Sequence, residues 1–362
     1  MRGPLSIEAL ALVALLAGTQ PAGTEDKTSL IELDRRSGAL AGAVNGNGSV
    51  VVGAIDGGGG FYWMPTTGAI FLGGQQAIAV SADGTRIVGI AYDPRGVENA
   101  AIWLRGTEWQ LLGSFPNAVP CDFNLSSGTG TSRDGSVIVG IAWNGCSAAH
   151  AFRWEEKAGM VDLGSSVSGR SSQALGVSGD GRVVVGGQDA ATGYRQGARW
   201  VDGRQELFSG PGGVVGSTRA VNRDGSIVAG RQCRPDLPSD QSAWIWTSGG
   251  GTQCLPAPGR KSAPVQIITE ANALSDDGHV IGGRQGVASS PDQDAVIWID
   301  RSPAYLKDFL RANGVPNAFD TWINTGEITG VSPDGRILVG YGAALAGYRG
   351  YMVILGSKVV MP

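Results

Sequence analysis

The stretch "SGDGRVVVGG" at residues 178–187 decides the fold of this chain, because six other segments repeat its pattern. When the seven copies are aligned on the glycine of an Asp-Gly or Asn-Gly dipeptide, four positions agree in every copy. Ala or Gly stands five residues before that glycine, Ser or Asn three before it, Asp or Asn one before it, and a second Gly five after it. The copies are "AVNGNGSVVVG" (43–53), "AVSADGTRIVG" (79–89), "GTSRDGSVIVG" (130–140), "GVSGDGRVVVG" (176–186), "AVNRDGSIVAG" (220–230), "ALSDDGHVIGG" (273–283) and "GVSPDGRILVG" (330–340). The chain therefore contains an internal repeat, which indicates a repeated structural unit.

Each repeat predicts four β-strands, named A to D in chain order. The small-residue segment before the dipeptide forms strand A, and the Val/Ile run after it forms strand B. The dipeptide makes the hairpin turn between them, because Gly accepts a positive φ and Asp or Asn caps the turn with its side chain. Strand C ends in a Trp that follows the turn glycine by 15 to 21 residues, and strand D is a short "LG" segment. The strand C segments are "GFYW" (60–63), "AAIW" (100–103), "AFRW" (151–154), "GARW" (197–200), "AWIW" (243–246) and "AVIW" (295–298), with "YMVI" (351–354) in the seventh copy.

Seven four-stranded units, spaced by 36 to 57 residues, predict an all-β fold, a seven-bladed β-propeller. An open β-solenoid is the main alternative, but its repeats are usually shorter and more regular in length. The segment "SLIEL" (29–33) resembles a strand D that has no unit of its own, and the seventh unit has only the weak strand D "SKVV" (357–360). We therefore expect the N-terminal strand to complete blade 7 and close the ring. The segment "AYLKDFLRANG" (304–314) predicts a short helix near the outer strand of blade 6.

Composition excludes several classes of protein. The 362 residues are 42% apolar and include 59 glycines, and such β-forming, apolar chains are not disordered. The formal net charge is -4 without a Lys/Arg cluster, which argues against nucleic-acid binding. The chain has two histidines, which limits metal and acid–base chemistry, and we expect no metal site and no cofactor.

The N-terminus has the pattern of a secretory signal peptide over residues 1–22. Arg2 precedes a short apolar run at 9–18 and small residues follow, although a buried helix is an alternative. No other segment is long and apolar enough to span a bilayer. We expect a secreted or periplasmic monomer in which residues 23–362 form a single propeller domain. Its Asp-Gly or Asn-Gly turns lie at 47–48, 83–84, 134–135, 180–181, 224–225, 277–278 and 334–335.

The four cysteines predict two disulfides, because an even count in an exported chain favours pairing. In a propeller the B–C and D–A connections open on the same face. This places Cys121 near Cys146 in blade 3 and Cys233 near Cys254 in blade 5. We expect the pairs Cys121–Cys146 and Cys233–Cys254.

These residues resemble the HAF-type extracellular repeat family, which is named for a His-Ala-Phe tripeptide. The tripeptide is present at 150–152 and is followed by Arg153 and Trp154. The pairing of "VSxDGxVVVG" with "AFxW" and "LG" extends over about residues 29–355, and "TWINTGEITGVSPDGRILVG" (321–340) is similar to the closing segment of such proteins. The resemblance implies an exported, propeller-like bacterial protein and implies no defined activity.

The repeated polar and aromatic residues favour structural roles. The Ser or Asn three places before the turn glycine recurs in every unit, whereas a nucleophile is needed once, so local hydrogen bonding explains it. Each turn offers one carboxylate, too few for calcium. The recurring strand C tryptophans indicate packing between blades rather than a sugar-binding stack. We therefore assign no catalytic residue.

A binding site is expected where the copies stop agreeing, in the loops that follow strand B. The candidate ligand-binding residues are Tyr92, Asp93, Arg95, Trp143, Asn144, Asp189, Tyr194, Arg231, Arg234, Asp236, Arg284 and Gln285. Aromatic, Arg and Asp side chains around a central mouth suit a carbohydrate or a peptide. The sequence thus favours a non-catalytic propeller scaffold that binds an extracellular or periplasmic glycan or peptide. A hydrolase or lyase acting on glycans or lactones, and a surface or matrix structural protein, remain the alternatives.

Overall fold

The computed structural model describes residues 27–33, 38–116, 125–145, 148–233, 240–259, 267–287 and 293–362. Within these ranges, seven antiparallel sheets of four main strands form the blades of a β-propeller, as predicted from the repeat. The predicted signal peptide at residues 1–22 lies outside the described residues.

The first four blades follow the predicted A–B–C–D order. Blade 1 comprises β2 (Ala39–Val44), β3 (Val51–Ile55), β4 (Gly60–Met64) and β5 (Gly68–Gly73). Blade 2 comprises β6 (Gln76–Val80), β7 (Arg86–Tyr92), β8 (Glu98–Leu104) and β9 (Trp109–Gly113). Blade 3 comprises β10 (Ser126–Thr131), β11 (Val137–Trp143), β12 (Ala149–Glu155) and β13 (Gly159–Gly164). Blade 4 comprises β14 (Ser172–Val177), β15 (Val183–Asp189), β16 (Arg195–Val201) and β17 (Arg204–Leu207).

The last three blades carry additions to this plan. A hairpin of β18 (Ser209–Gly210) and β19 (Gly213–Val214) precedes blade 5, which comprises β20 (Thr218–Val221), β21 (Ile227–Gly230), β23 (Trp244–Thr247) and β24 (Gly251–Cys254). Blade 6 comprises β25 (Ile267–Leu274), β26 (Val280–Val287), β27 (Gln293–Ile299) and β28 (Ser302–Tyr305), with β22 (Asp240–Gln241) added in parallel to β25. The helix α1 (Leu306–Ala312) follows β28, as predicted. Blade 7 comprises β29 (Glu327–Val331), β30 (Ile337–Ala344), β31 (Gly347–Ile354) and the N-terminal β1 (Ser29–Glu32).

The ring closes through the N-terminal strand. β1 pairs antiparallel with β31, so that Ser29 lies opposite Ile354 and Glu32 lies opposite Tyr351. Each strand A contacts the strand A of the next blade, and β29 of blade 7 contacts β2 of blade 1. This closure confirms the predicted role of "SLIEL" and covers what would otherwise be an exposed edge of β31.

The core is a ring of apolar clusters, one between each pair of neighbouring blades. The strand C tryptophans lie in these clusters. Trp200 and Trp298 are fully buried, and their indole N–H groups donate to backbone oxygens of the preceding blade, at Leu163 and Pro256. Each of these two tryptophans is therefore buried between two blades and hydrogen-bonded to the preceding one. This confirms the packing role inferred from the repeat.

The Asp-Gly and Asn-Gly turns are structural. All seven turn glycines have φ between +69° and +77°, a region that favours glycine. In blade 4, Ser178 Oγ donates to Asp180 Oδ1 at 2.5 Å and accepts the Val183 N–H at 2.9 Å. Where Asn replaces Ser, its side chain also hydrogen-bonds to the next blade. Asn222 Nδ2, for example, donates to the backbone oxygen of Asp276 at 2.9 Å. The recurring Ser or Asn thus holds the hairpin and needs no chemical role.

One of the two predicted disulfides lies within the described residues. Cys233 and Cys254 are bonded, with their Cα atoms 5.5 Å apart, and join the B–C loop of blade 5 to its strand D. The other predicted pair, Cys121–Cys146, lies outside the described residues.

Candidate functional site

The topology separates two faces of the ring. Because adjacent strands are antiparallel, the A–B and C–D turns lie on one face, here called the turn face, and the B–C and D–A connections lie on the other, the loop face. The described candidate residues chosen from the sequence belong to B–C connections or to the strand ends beside them. They therefore belong to the loop face.

On the turn face, the central channel opens into a cavity of about 170 Å³. Its rim is formed by the residue between the recurring Ser or Asn and the Asp or Asn of each turn. These residues are Gly46, Ala82, Arg133, Gly179, Arg223, Asp276 and Pro333. Arg133 Nη1 lies 3.4 Å from Asp276 Oδ2, so an ion pair joins blades 3 and 6 across the opening. This mouth is otherwise mostly small side chains.

Every strand A carries a β-bulge six residues before its turn glycine. The residue at the bulge has no partner in strand B and is partly buried. Because each strand A contacts the strand A of the next blade, these seven residues form a ring on the innermost strands. They are Gly42, Ile78, Thr129, Leu175, Arg219, Asn272 and Thr329. Arg219 is the one charged member of this ring.

Arg219 lies at the edge of a charged cluster on the loop face of blades 5–7. At its centre is Glu270, only 2% exposed. Arg231 Nη1 donates to Glu270 Oε1 at 3.0 Å, and Arg284 Nε donates to Oε2 at 3.1 Å. Arg219 Nη2 lies 3.8 Å from Oε2. Three guanidinium groups from two blades therefore surround one buried carboxylate.

A second carboxylate extends the cluster into blade 7. Glu327 accepts hydrogen bonds from the Tyr341 hydroxyl at 2.7 Å and from Asn272 Nδ2 at 2.9 Å. Arg284 Nε lies 3.8 Å from Glu327 Oε2, so this arginine connects the two carboxylates. We call Arg219, Arg231, Glu270, Arg284 and Glu327 the charged cluster.

Burial and neighbouring charges act in opposite directions on the pKa values of several side chains in the cluster. Burial acts to raise the pKa of Glu270, but the hydrogen bond and charge of Arg284 and the charges of Arg219 and Arg231 outweigh it and lower this pKa. Burial and the charges of Arg231 and Arg284 lower the pKa of Arg219, while the charges of Glu270 and Glu327 oppose this shift. Burial and the charge of Glu327 raise the pKa of Tyr341, whose hydroxyl is therefore a fixed donor at neutral pH. By formal charge, the three arginines and two glutamates of the cluster leave one net positive charge.

Comparison of the seven repeats shows at which positions the cluster differs from the other blades. The residue eight before the turn glycine in strand A pairs with the residue six after it in strand B. In blades 1–4 these pairs are Leu40–Ala54, Gln76–Ile90, Ser127–Ile141 and Gln173–Gly187. In blades 5–7 the equivalent residues are Ser217 and Arg231, Glu270 and Arg284, and Glu327 and Tyr341. The charged residues thus occupy repeat positions that are uncharged in the other four blades.

The structure brings two of the candidates from the sequence together, since Arg231 and Arg284 both bind Glu270. Sequence reasoning missed Glu270, Glu327 and Arg219, because all three lie in strand A and the search was confined to loops. Comparing the seven copies at the positions eight and six before the turn glycine would have found them. Gln285 lies beside Arg284, and its Nε2 donates to the Tyr305 hydroxyl.

The blade 2 candidates form a local unit. Asp93 accepts backbone N–H groups of Arg95 and Val97 and pairs with the Arg95 guanidinium at 2.8 Å. These bonds and the Arg95 charge lower the pKa of Asp93. Tyr92 is exposed beside them at the end of β7. Asp93 therefore acts first as the cap of its own turn.

The described candidates of blades 3 and 4 make no hydrogen bond or ion pair to the described residues of the charged cluster. Trp143 ends β11 half buried, and Asn144 is exposed in the following turn. Asp189 pairs with Arg195 at 2.9 Å, while Tyr194 is exposed at the loop tip. Arg234 and Asp236 lie outside the described residues. A ligand role for each candidate stays a prediction.

The described residues contain no group of three or more His, Cys, Asp or Glu side chains arranged to hold a metal ion. None of the helices within the described ranges has the length and apolar character needed to cross a membrane. What the charged cluster offers is guanidinium donors that can bind an anionic group.

Comparisons with known proteins show that the chain shares its fold with several solved structures. No protein family model matches it, and no curated protein matches it significantly. An oligogalacturonate lyase from Vibrio parahaemolyticus is similar with a TM-score of 0.53 and 11% identity, over 94% of this chain and 100% of that one. An oligogalacturonate lyase in complex with manganese has a TM-score of 0.53 and 12% identity, over 93% and 99%. Hydrazine synthase of Kuenenia stuttgartiensis has a TM-score of 0.52 and 14% identity, over 94% and 100%. At these identities the likeness shows the propeller fold alone.

Proposed function

We propose that this chain is an exported, non-catalytic β-propeller of the HAF-type repeat family, which binds an extracellular or periplasmic glycan or peptide through its loop face. The observation that carries the proposal is the charged cluster of blades 5–7. It replaces uncharged repeat positions, leaves one net positive charge, and lies at strand ends on the loop face, beside the connections where the copies diverge. Function on a repeated scaffold is expected where the repeat changes.

Export is supported by two features. Residues 1–22 have the signal-peptide pattern, and Cys233 and Cys254 form a disulfide, a bond that persists in oxidising compartments. The test is expression of the full chain with fractionation of cytoplasm, periplasm and medium, followed by N-terminal sequencing. The proposal expects a shortened chain outside the cytoplasm. A full-length cytoplasmic chain would contradict export.

Binding is tested with the purified full chain on a glycan array and on libraries of short peptides. The proposal expects saturable binding to one of these ligand classes that is weakened by substitutions on the loop face and unaffected by substitutions on the turn face. The bound ligands are also recovered and analysed for cleavage products. Turnover of a bound glycan would contradict the non-catalytic role and favour a hydrolase or lyase.

A further inference from the structure

We propose that the charged cluster and the neighbouring hairpin of blade 7 bind an extended peptide that carries an acidic side chain next to apolar side chains. The inference rests on the proposed function and names the ligand class for the same loop face. It depends on two observations, the unused donors of the cluster and an exposed apolar patch beside it.

The cluster has donors to spare. Among the described residues, the Arg219 guanidinium has no hydrogen-bond partner, and its closest carboxylate oxygen is that of Glu270 at 3.8 Å. The Nε atoms of Arg219 and Arg231 are both buried without a partner there. Both side chains still expose about a third of their surface. A carboxylate entering from the channel side would accept from the exposed part of these side chains, since guanidinium binds carboxylate in a two-pronged geometry. Its negative charge would balance the excess positive charge of the cluster.

The apolar patch lies at the tip of the hairpin between β30 and β31. Leu345 is 90% exposed, Ile323 is 61% exposed and Tyr348 is 46% exposed. The Ile323 N–H donates to the Ala343 oxygen at 2.8 Å, and Ala343 pairs with Tyr348. These contacts hold Ile323 and Tyr348 at the same hairpin end. We call Ile323, Leu345 and Tyr348 the hairpin patch.

The hairpin patch adjoins the charged cluster through two tyrosines. The ring of Tyr348 packs edge to face against Tyr341, with centroids 6.1 Å apart. The Tyr341 hydroxyl in turn donates to Glu327 of the cluster. An extended ligand with a carboxylate at the arginines would reach the hairpin patch by crossing Glu327 and Tyr341 of blade 7.

The chemistry of the patch favours a peptide over a glycan. Exposed leucine and isoleucine side chains make no hydrogen bonds to sugar hydroxyls, but they bury apolar side chains of a partner. The net positive charge selects an acidic residue beside those apolar side chains. Neither feature alone identifies the ligand, and together they match an acidic, apolar peptide segment.

The test uses the full chain with its disulfide intact and three pools of acetylated, amidated hexapeptides with randomised flanking positions. One pool has Glu fixed at the third position, one has Gln and one has Lys. Peptides retained by the immobilised protein are identified by mass spectrometry. The variants are R219Q, which removes a cluster charge that has no hydrogen bond, and the matched control R133Q, which removes an arginine from the turn face. Melting curves show whether each variant is folded.

The proposal expects the native protein to retain the Glu pool over the Gln pool by about tenfold or more, the size expected for a hydrogen bond to a charged group. It expects apolar residues to be enriched next to Glu. R219Q should lose this selectivity and R133Q should keep it. A double variant, L345S with I323S, should keep the Glu preference and lose the apolar enrichment.

Three results would overturn the inference. Equal retention of the Glu and Gln pools would exclude carboxylate recognition, and unchanged selectivity in a folded R219Q variant would exclude the cluster as its site. Selective binding of glycans without peptide selection would preserve the proposed function and reject this ligand class. If neither peptides nor glycans bind, the proposed function itself is wrong.

Discussion

In blades 1–4, the loop-face pairs between strands A and B are uncharged, as in Leu40–Ala54 and Gln76–Ile90. In blade 6 the equivalent pair is Glu270–Arg284, although its backbone register is the same. The comparison shows that the recurring turn and strand residues maintain the blade, while charged side chains replace uncharged ones at a few other positions of the repeat. At this pair of positions, blades 5–7 therefore differ from blades 1–4 in their side chains and not in the pairing of strands A and B.

The largest expected effect comes from removing Glu270, the central carboxylate that distinguishes blade 6 from blades 1–4. Replacing Glu270 with Leu, the residue type of blade 1 at this position, leaves three arginines without their shared carboxylate. Removing one partner of a buried ion pair costs about 3–5 kcal/mol, so we expect the free energy of unfolding in urea to fall by about that amount.

The matched control is Q76L, which makes a similar change at the exposed equivalent position of blade 2. We expect its free energy of unfolding to change by less than about 0.5 kcal/mol. Equal effects of the two substitutions would mean that the charged cluster adds nothing to the blade 5–6 contact.

The next effect concerns the disulfide of blade 5. Replacing Cys233 and Cys254 together with Ala removes a crosslink over a sequence separation of 21 residues. Loss of a crosslink over such a loop lowers the free energy of unfolding by about 2–4 kcal/mol. Denaturant unfolding of the double variant and the native chain measures the difference. An unchanged midpoint would show that packing alone holds this blade.

A smaller effect is expected at the turns, which blades 1–4 and 5–7 share. The hydrogen bonds from the Ser132 hydroxyl and from the Ser136 N–H and hydroxyl lower the pKa of Asp134 from 3.8 to about 2. Because the folded-state pKa is the lower one, the contribution of Asp134 is present above pH 3.8 and is lost as the pH falls toward 2. The side chain is largely solvated, so we expect about 1 kcal/mol.

The measurement compares the free energy of unfolding of the native chain and D134N between pH 2 and pH 6. Blade 1 already has Asn47 at this position, so the variant is expected to fold. The two curves should converge at low pH. A constant difference across this range would exclude the carboxylate as its cause.

The smallest effect is at His150, whose Nδ1 lies 2.9 Å from Asp162 Oδ2 in blade 3. The hydrogen bond to Asp162, opposed by burial and aided by its charge, raises the pKa of His150 above 6.5. The pair therefore stabilises the fold below pH 6.5 and loses this contribution as the pH rises through the raised pKa. A partly exposed pair contributes up to about 1 kcal/mol. NMR titration of His150 in the native chain and in D162N checks the direction, and equal midpoints would contradict it.

Much of the fold was predictable because the repeat encodes local physics. The Asp-Gly turn needs a positive φ at Gly181, and the recurring Ser178 has its partners within five residues, so both signals are local. The site was less predictable because its contacts are distant in the chain. Arg231 and Glu270 are 39 residues apart and belong to neighbouring blades, so the packing of blade 5 against blade 6 brings them together.

The candidates from the sequence were drawn from loops because loops vary between copies. This choice found Arg231 and Arg284, which lie just past the repeat's last glycine. It missed Glu270 because that residue lies within strand A, where the repeat was expected to be structural. Other loop candidates have a local role instead, since Asp93 and Asp189 each form an ion pair with an arginine of the same B–C connection.

The most direct test of the central claim is hydrogen–deuterium exchange of the full chain with and without the Glu-fixed peptide pool. Binding at the charged cluster predicts slower exchange in β26 and in the hairpin of β30 and β31, with blades 1–4 unchanged. R219Q should abolish that protection, and R133Q should preserve it. Protection confined to the turn face or to blades 1–4 would contradict the assignment of function to the loop face of blades 5–7.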